Sequence, residues 1–129
     1  MTYEVGSGIG FRAQHVMPGA QGPEGSPHSH DYELRVVIRT ARLDGAGMVC
    51  DLDVLNRLLE EVAAELDGSD LERIRPPHLP AVTVEALAQW AHERLSQGLE
   101  PSAPAEMEVR VYENPIAFGG YTAPLGSKR

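Results

Sequence analysis

The sequence predicts an α+β fold, a four-stranded antiparallel sheet with two helices on one face. Three observations predict it. Two alternating apolar-polar runs open the chain. Two capped segments with apolar residues at helical spacing fill its middle, and two further alternating runs close it. Strands, then helices, then strands give the order β-β-α-α-β-β, which suits a sheet covered on one side. A chain of 129 residues suits a single domain over 1–129, with its core at about 3–122.

Residues 3–16 read as the first strand, ending in Phe11-Arg12-Ala13-Gln14-His15. Gly6, Gly8 and Gly10 have the spacing of a phosphate loop, but no helix follows them, so they read as a thinned strand. Residues 17–27 hold three prolines and three glycines and read as a loop that runs into the second strand. That strand covers 31–42: Tyr32, Leu34, Val36 and Ile38 face one way, Asp31, Glu33, Arg35 and Arg39 the other, with Val37 among them.

Asp51 caps a helix running to about Asp67, with Leu55, Leu58, Leu59, Val62 and Leu66 as its apolar stripe and Gly68 as its stop. Residues 68–81 form an irregular, proline-rich connection. Thr83 caps the second helix, with Val82 and Leu87 placed as a hydrophobic staple. Its stripe is Val84, Leu87, Ala88, Ala91 and Leu95, which leaves His92 on the solvent side. Gly98 stops it. Met107, Val109 and Val111 mark the third strand, Asn114-Pro115 the turn, and Ile116–Tyr121 the fourth strand. The tail after Pro124 reads as loose.

Composition narrows the function. A net charge of −8 without a basic run argues against nucleic acid or an anionic membrane as partner. No apolar run approaches the roughly 18 residues of a membrane span, and the first residues lack the basic start of a signal peptide. The lone Cys50 excludes an internal disulfide and fits the reducing cytoplasm. The expected partner is a small-molecule substrate.

Chemistry concentrates around Pro27-His28-Ser29-His30. Residues i and i+2 on a strand point the same way, so His28 and His30 can reach one point. If the first two strands pair, His15 can join them. Three neutral imidazoles with an open fourth position make a catalytic zinc site. Glu113 continues the apolar parity of Met107, Val109 and Val111, where a carboxylate either frays into solvent at the strand end or is costly unless it is paired, solvated by a pocket or reserved for a ligand. His78, between two prolines, reads as a loop histidine.

The ordered set Phe11–His15, His28-Ser29-His30 with Tyr32, Gly47–Asp51, Leu66-Asp67, Thr83-Val84-Glu85 and Val111-Tyr112-Glu113 resembles the 6-pyruvoyl-tetrahydropterin synthase and 6-carboxy-tetrahydropterin synthase family. The resemblance spans residues 9 to 121. It implies the tunnelling fold, whose subunits join their sheets into a barrel, here a homo-oligomer of four or six. It implies zinc held by His15, His28 and His30, a pterin ring anchored by Glu113, and Thr83 beside the substrate. The family's catalytic cysteine, four residues before its first H-G-H histidine, is Glu24 here, as in a subgroup that cleaves the side chain of dihydroneopterin triphosphate differently. Its Asp-His dyad reads Asp67-Gly68, its H-G-H has Ser29 in the middle, and its asparagine after Thr-x-Glu is Ala86. The usual proton relay is therefore dismantled, and Glu24 and Asp67 remain as catalytic candidates.

The resulting expectation is a zinc-dependent lyase or cyclase that performs enolisation, aldol-type cleavage or ring closure on a pterin or pterin-like carbonyl compound. Two alternatives stay open. One is a cyclase repurposed for Pictet–Spengler-type joining of an amine and a carbonyl. The other is a ligand-binding homologue without turnover.

Overall fold

The computed structural model describes residues 1–17 and 22–125, the side chains of Pro23 and Glu24 excepted. Of the expected loose tail after Pro124, Leu125 is instead packed: it is buried in the core and its N–H donates to the Ala105 carbonyl at 3.0 Å. The rest of that tail and part of the 17–27 loop lie outside the described residues. Six principal elements follow in chain order: β1 (Tyr3–His15), β2 (His28–Thr40), α1 (Leu52–Leu66), α2 (Val84–Ser96), β3 (Ala105–Tyr112) and β4 (Phe118–Pro124). The strands form one antiparallel sheet in the order β1-β2-β3-β4. α1 packs on β1, and α2 on β3 and β4.

Period-two alternation does most of this work. Tyr32, Leu34, Val36 and Ile38 of β2 are buried under the helices together with Met107, Val109 and Val111 of β3. Each such burial contributes on the order of 1.5–3 kcal/mol. The intervening residues lie on the open face. There Arg39 pairs with Glu4 of β1 and with Glu106 and Glu108 of β3, and so ties three strands together.

The helices begin and end where their caps dictate. The Asp51 carboxylate accepts from the Asp53 N–H at 2.9 Å, and Leu55, Leu59, Val62, Ala63 and Leu66 fill the buried stripe of α1. Gly68 follows at φ +73°, a left-handed conformation that other residues adopt only with strain. The end of α1 is then fastened to the outer edge of β1. Gly68 donates to the Arg12 carbonyl at 2.7 Å, Gln14 donates to the Ser69 carbonyl at 2.8 Å, and the Arg12 N–H donates to Asp67 Oδ1 at 2.9 Å. These bonds hold the last residues of β1, among them His15. At α2 the Thr83 hydroxyl accepts from the Ala86 N–H at 3.1 Å, and Val82 and Leu87 are both buried.

Three expectations need correction. β2 starts at His28, three residues earlier than expected, because His28, Ser29 and His30 find partners in His15, Gln14 and Ala13; it ends at Thr40, not 42. β4 starts at Phe118, not Ile116. The Asn114 side chain accepts from the N–H groups of Ile116 and Ala117 at 3.0 and 2.8 Å, which spends those donors on the turn and leaves Ile116 89% exposed. His92 is buried, not solvated. β4 runs past it, so its Nε2 stands 3.2 Å from the Ala123 carbonyl, its Nδ1 stands 3.3 Å from Ser96 Oγ, and its ring meets Tyr121 edge-on.

Candidate functional site

The β1–β2 pairing assembles the site. His15 and His28 are direct partners across the two strands, and His30 is the partner of Ala13. All three imidazoles emerge on the helix-covered face, at the end of the sheet where the apolar core stops. Their ring centroids stand 5.4 Å (His15–His28), 4.7 Å (His28–His30) and 6.2 Å (His15–His30) apart. Three imidazoles around one zinc, with nitrogens about 2.1 Å from it and tetrahedral angles, would have centroids about 5 Å apart. The two separations from His28 match that spacing, and His15–His30 is wider. As the side chains stand, no group of three or more His, Cys, Asp or Glu among the described residues is yet disposed to hold a metal ion.

The ring chemistry fits a metal ligand set. His28 Nδ1 lies 2.8 Å from the Ser26 carbonyl. A carbonyl only accepts, so Nδ1 carries the proton and Nε2 keeps a lone pair for coordination. His15 is buried, and its pKa is lowered. Burial is the main cause, the neighbouring His28 and His30 add to it, and Glu113 and Glu72 oppose it. A neutral imidazole is the form that binds metal.

Beside the histidines lies a cavity of about 140 Å³. His15, Tyr32, Thr83, Glu85 and Glu113 give it its polar and aromatic lining, and Val84 and Leu87 are among its apolar walls. Glu113 sits one residue beyond β3 and half-buried, on the side of Met107, Val109 and Val111. Its N–H donates to the Ala117 carbonyl at 3.1 Å, which fixes the turn that carries it. Tyr32 is 3% exposed, stacked on Phe11 and edge-on to His30. Burial, then the Glu113 charge, pushes its phenol well above the ordinary tyrosine range. It stays protonated and so has an O–H to donate.

The structure thus brings His15, Thr83 and Glu113 to one cavity, with His28 and His30 against His15. It does not bring Asp67 there. Asp67 lines a separate cavity of about 280 Å³ with Arg12, Gln14, Ser29 and Gly68, and its carboxylate accepts from the Arg12 backbone. The backbone of Glu24 lies in a short 3-10 turn, Gly22–Gly25, but its side chain lies outside the described residues. His78 is exposed on its loop. Sequence reasoning did not single out Tyr32 or Glu85 as lining residues. Tyr32 shares the parity of His28 and His30, and that parity is the signal that finds it.

Residues 5–124 match the family described as 6-pyruvoyl tetrahydropterin synthase. A 6-pyruvoyl tetrahydrobiopterin synthase of Poecilia reticulata is 32% identical over 88 residues, 67% of this chain, and the chain spans 58% of that relative's length. The 6-pyruvoyl tetrahydropterin synthase of Caenorhabditis elegans superposes with a TM-score of 0.74 at 20% identity, covering 95% of this chain and 96% of that one. A Plasmodium vivax 6-pyruvoyltetrahydropterin synthase, in a variant with a catalytic glutamate replaced by alanine, superposes at 0.76 and 15% identity, covering 95% and 98%. At these identities the structural likeness is one of fold. No helix among the described residues is long and apolar enough to cross a membrane. With its β-β-α-α-β-β sheet of the tunnelling type, this chain belongs to the 6-pyruvoyl tetrahydropterin synthase family.

Proposed function

We propose that this chain is a zinc-dependent lyase or cyclase acting on a pterin or pterin-like substrate that carries a carbonyl group. One observation carries the reading: imidazoles from two strands meet beside a cavity that also holds a half-buried carboxylate. In this reading His15, His28 and His30 hold the metal. Zinc bound there supplies Lewis acidity toward substrate oxygens.

The remaining work falls to the protein. Glu113 accepts hydrogen bonds from ring N–H groups of the substrate, and Thr83 stands beside it. Tyr32 keeps its proton and donates to a substrate oxygen as negative charge grows on it. Glu24 is the assigned acid-base group. Its support is its place four residues before His28 and the catalytic glutamate named for the Plasmodium vivax protein. Asp67, bonded to the Arg12 backbone, is assigned an orienting role at the end of α1. We assign the protein to the cytoplasm as a homo-oligomer of four or six.

A second reading is ring closure between an amine and a carbonyl. It is favoured by Glu85 and Glu113 lining one cavity, since two carboxylates suit a protonated amine. Binding of a pterin in preference to an arylalkylamine separates the two readings. The main test is removal of metal by chelation, followed by turnover of dihydroneopterin triphosphate and related pterins. Turnover that falls with metal and returns with added zinc is expected; turnover indifferent to metal overturns the proposal.

A further inference from the structure

Gly119 lies in β4 opposite Val111 and is buried. Its φ does not fall in the left-handed region, which Gly22, Gly47 and Gly68 occupy among the described glycines. Backbone conformation therefore does not demand a glycine there. Space does. A Cβ at this position would stand 2.6 Å from Val84 Cγ2, 3.1 Å from the Glu85 backbone nitrogen and 3.2 Å from Glu85 Cδ. Val84 and Glu85 open α2, and both line the cavity beside His15 and Glu113. The first turn of α2 thus rests on bare strand backbone, and the Glu85 carboxyl carbon lies against it.

We propose that Gly119 is a positioning residue of this site: its missing side chain sets how close the first turn of α2 comes to β4, and so where Glu85 faces the substrate cavity. The inference rests on the reading of that cavity as the substrate site. Relief of the clash is not free. Val84 is β-branched and stiff about χ1, and the second contact is helix backbone, so the methyl must displace the helix start or rotate Val84 within the cavity wall. The neighbouring Gly120 provides the contrast. It is exposed on the open face, and a Cβ there would meet the Val109 carbonyl at 3.1 Å and nothing of α2.

The test is steady-state kinetics on the zinc-loaded protein, with dihydroneopterin triphosphate as probe, for Gly119→Ala, Gly120→Ala, Val84→Ala and the pair Val84→Ala with Gly119→Ala. Gly119→Ala is expected to raise KM by roughly tenfold and change kcat by less than about threefold, with zinc content unchanged. Gly120→Ala leaves KM where it is. Added to Val84→Ala, which removes the methyl at 2.6 Å but not the contacts with Glu85, Gly119→Ala then raises KM by a smaller factor. An unchanged KM in Gly119→Ala overturns the inference, and so does an equal loss in both backgrounds. Where Gly119→Ala alone does not fold, the pair is compared with Val84→Ala, and a pair that binds much more weakly overturns it as well. Absence of pterin turnover in the unaltered, zinc-loaded protein instead removes the underlying reading of the site.

Discussion

The two faces of the sheet are built from alternate residues of the same strands, yet they do different work. On the covered face β2 reads His28, His30, Tyr32, Leu34, Val36, Ile38, passing from candidate ligands to core without a break. On the open face it reads Asp31, Glu33, Arg35, Val37, Arg39; the four charged residues are all engaged in ion pairs, with Asp31, Glu33 and Arg35 left largely in solvent and Arg39 less so. A shift of one residue in register would put the imidazoles in solvent and the charges in the core. The hydrophobic pattern that fixes the fold therefore also fixes the site. The open face adds cross-strand ties that water weakens.

The greatest loss of activity is expected at the covered face's polar end. His30→Ala is expected to lower kcat/KM by roughly a hundredfold or more and to remove bound zinc, while the unfolding midpoint of the metal-free protein changes little. Enzyme kinetics beside elemental analysis reads both. Next comes the apolar stretch of the same strand. Leu34 is 1% exposed, and Leu34→Ala is expected to cost about 2–5 kcal/mol in urea unfolding.

Thr83 stands between the two regimes. As the cap of α2 it accepts from the Ala86 N–H, so Thr83→Ala is expected to cost about 0.5–2 kcal/mol. Because Thr83 also lines the cavity, its KM should rise as well. The cap and the cavity contact are separated by Thr83→Ser, which restores stability.

The smallest effect is on the open face. Arg39→Ala is expected to cost roughly 1 kcal/mol or less at neutral pH, since its partners Glu4 and Glu106 are largely exposed and the less exposed Glu108 keeps its pair with Arg110. Its signature is the pH dependence. Hydrogen bonds from Arg110, then Arg39, hold the Glu108 carboxyl below its ordinary value of 4.5. Folded Glu108 thus binds fewer protons than unfolded Glu108, so its contribution is full above that value and is lost as pH falls through the lowered one. Removing Arg39 should flatten this acid loss. An acid dependence of unfolding unchanged in Arg39→Ala would contradict the pairing.

Sequence patterning reached the covered face well and the turns less well. Period two placed Leu34 and Val109, and helical spacing with Asp51, Thr83 and Gly68 bounded both helices, because caps act through bonds to residues two or three away. The convergence of His15 with His28 needed only the pairing of adjacent strands. The start of β4 was missed because the Asn114 side chain, not strand propensity, decides where Ile116 and Ala117 send their N–H groups. His92 was misplaced because β4, 31 residues away from it at Ala123, supplies its cover. The space at Gly119 was illegible for the same reason: nothing local to β4 announces that α2 will begin against it.

The most direct test of the central claim is the zinc content of the purified protein across His15→Ala, His28→Ala and His30→Ala. About one zinc per unaltered chain is expected, and its loss in each variant, because three imidazoles share one ion. Zinc retained in all three variants, or full pterin turnover in an unaltered protein free of metal, would contradict it.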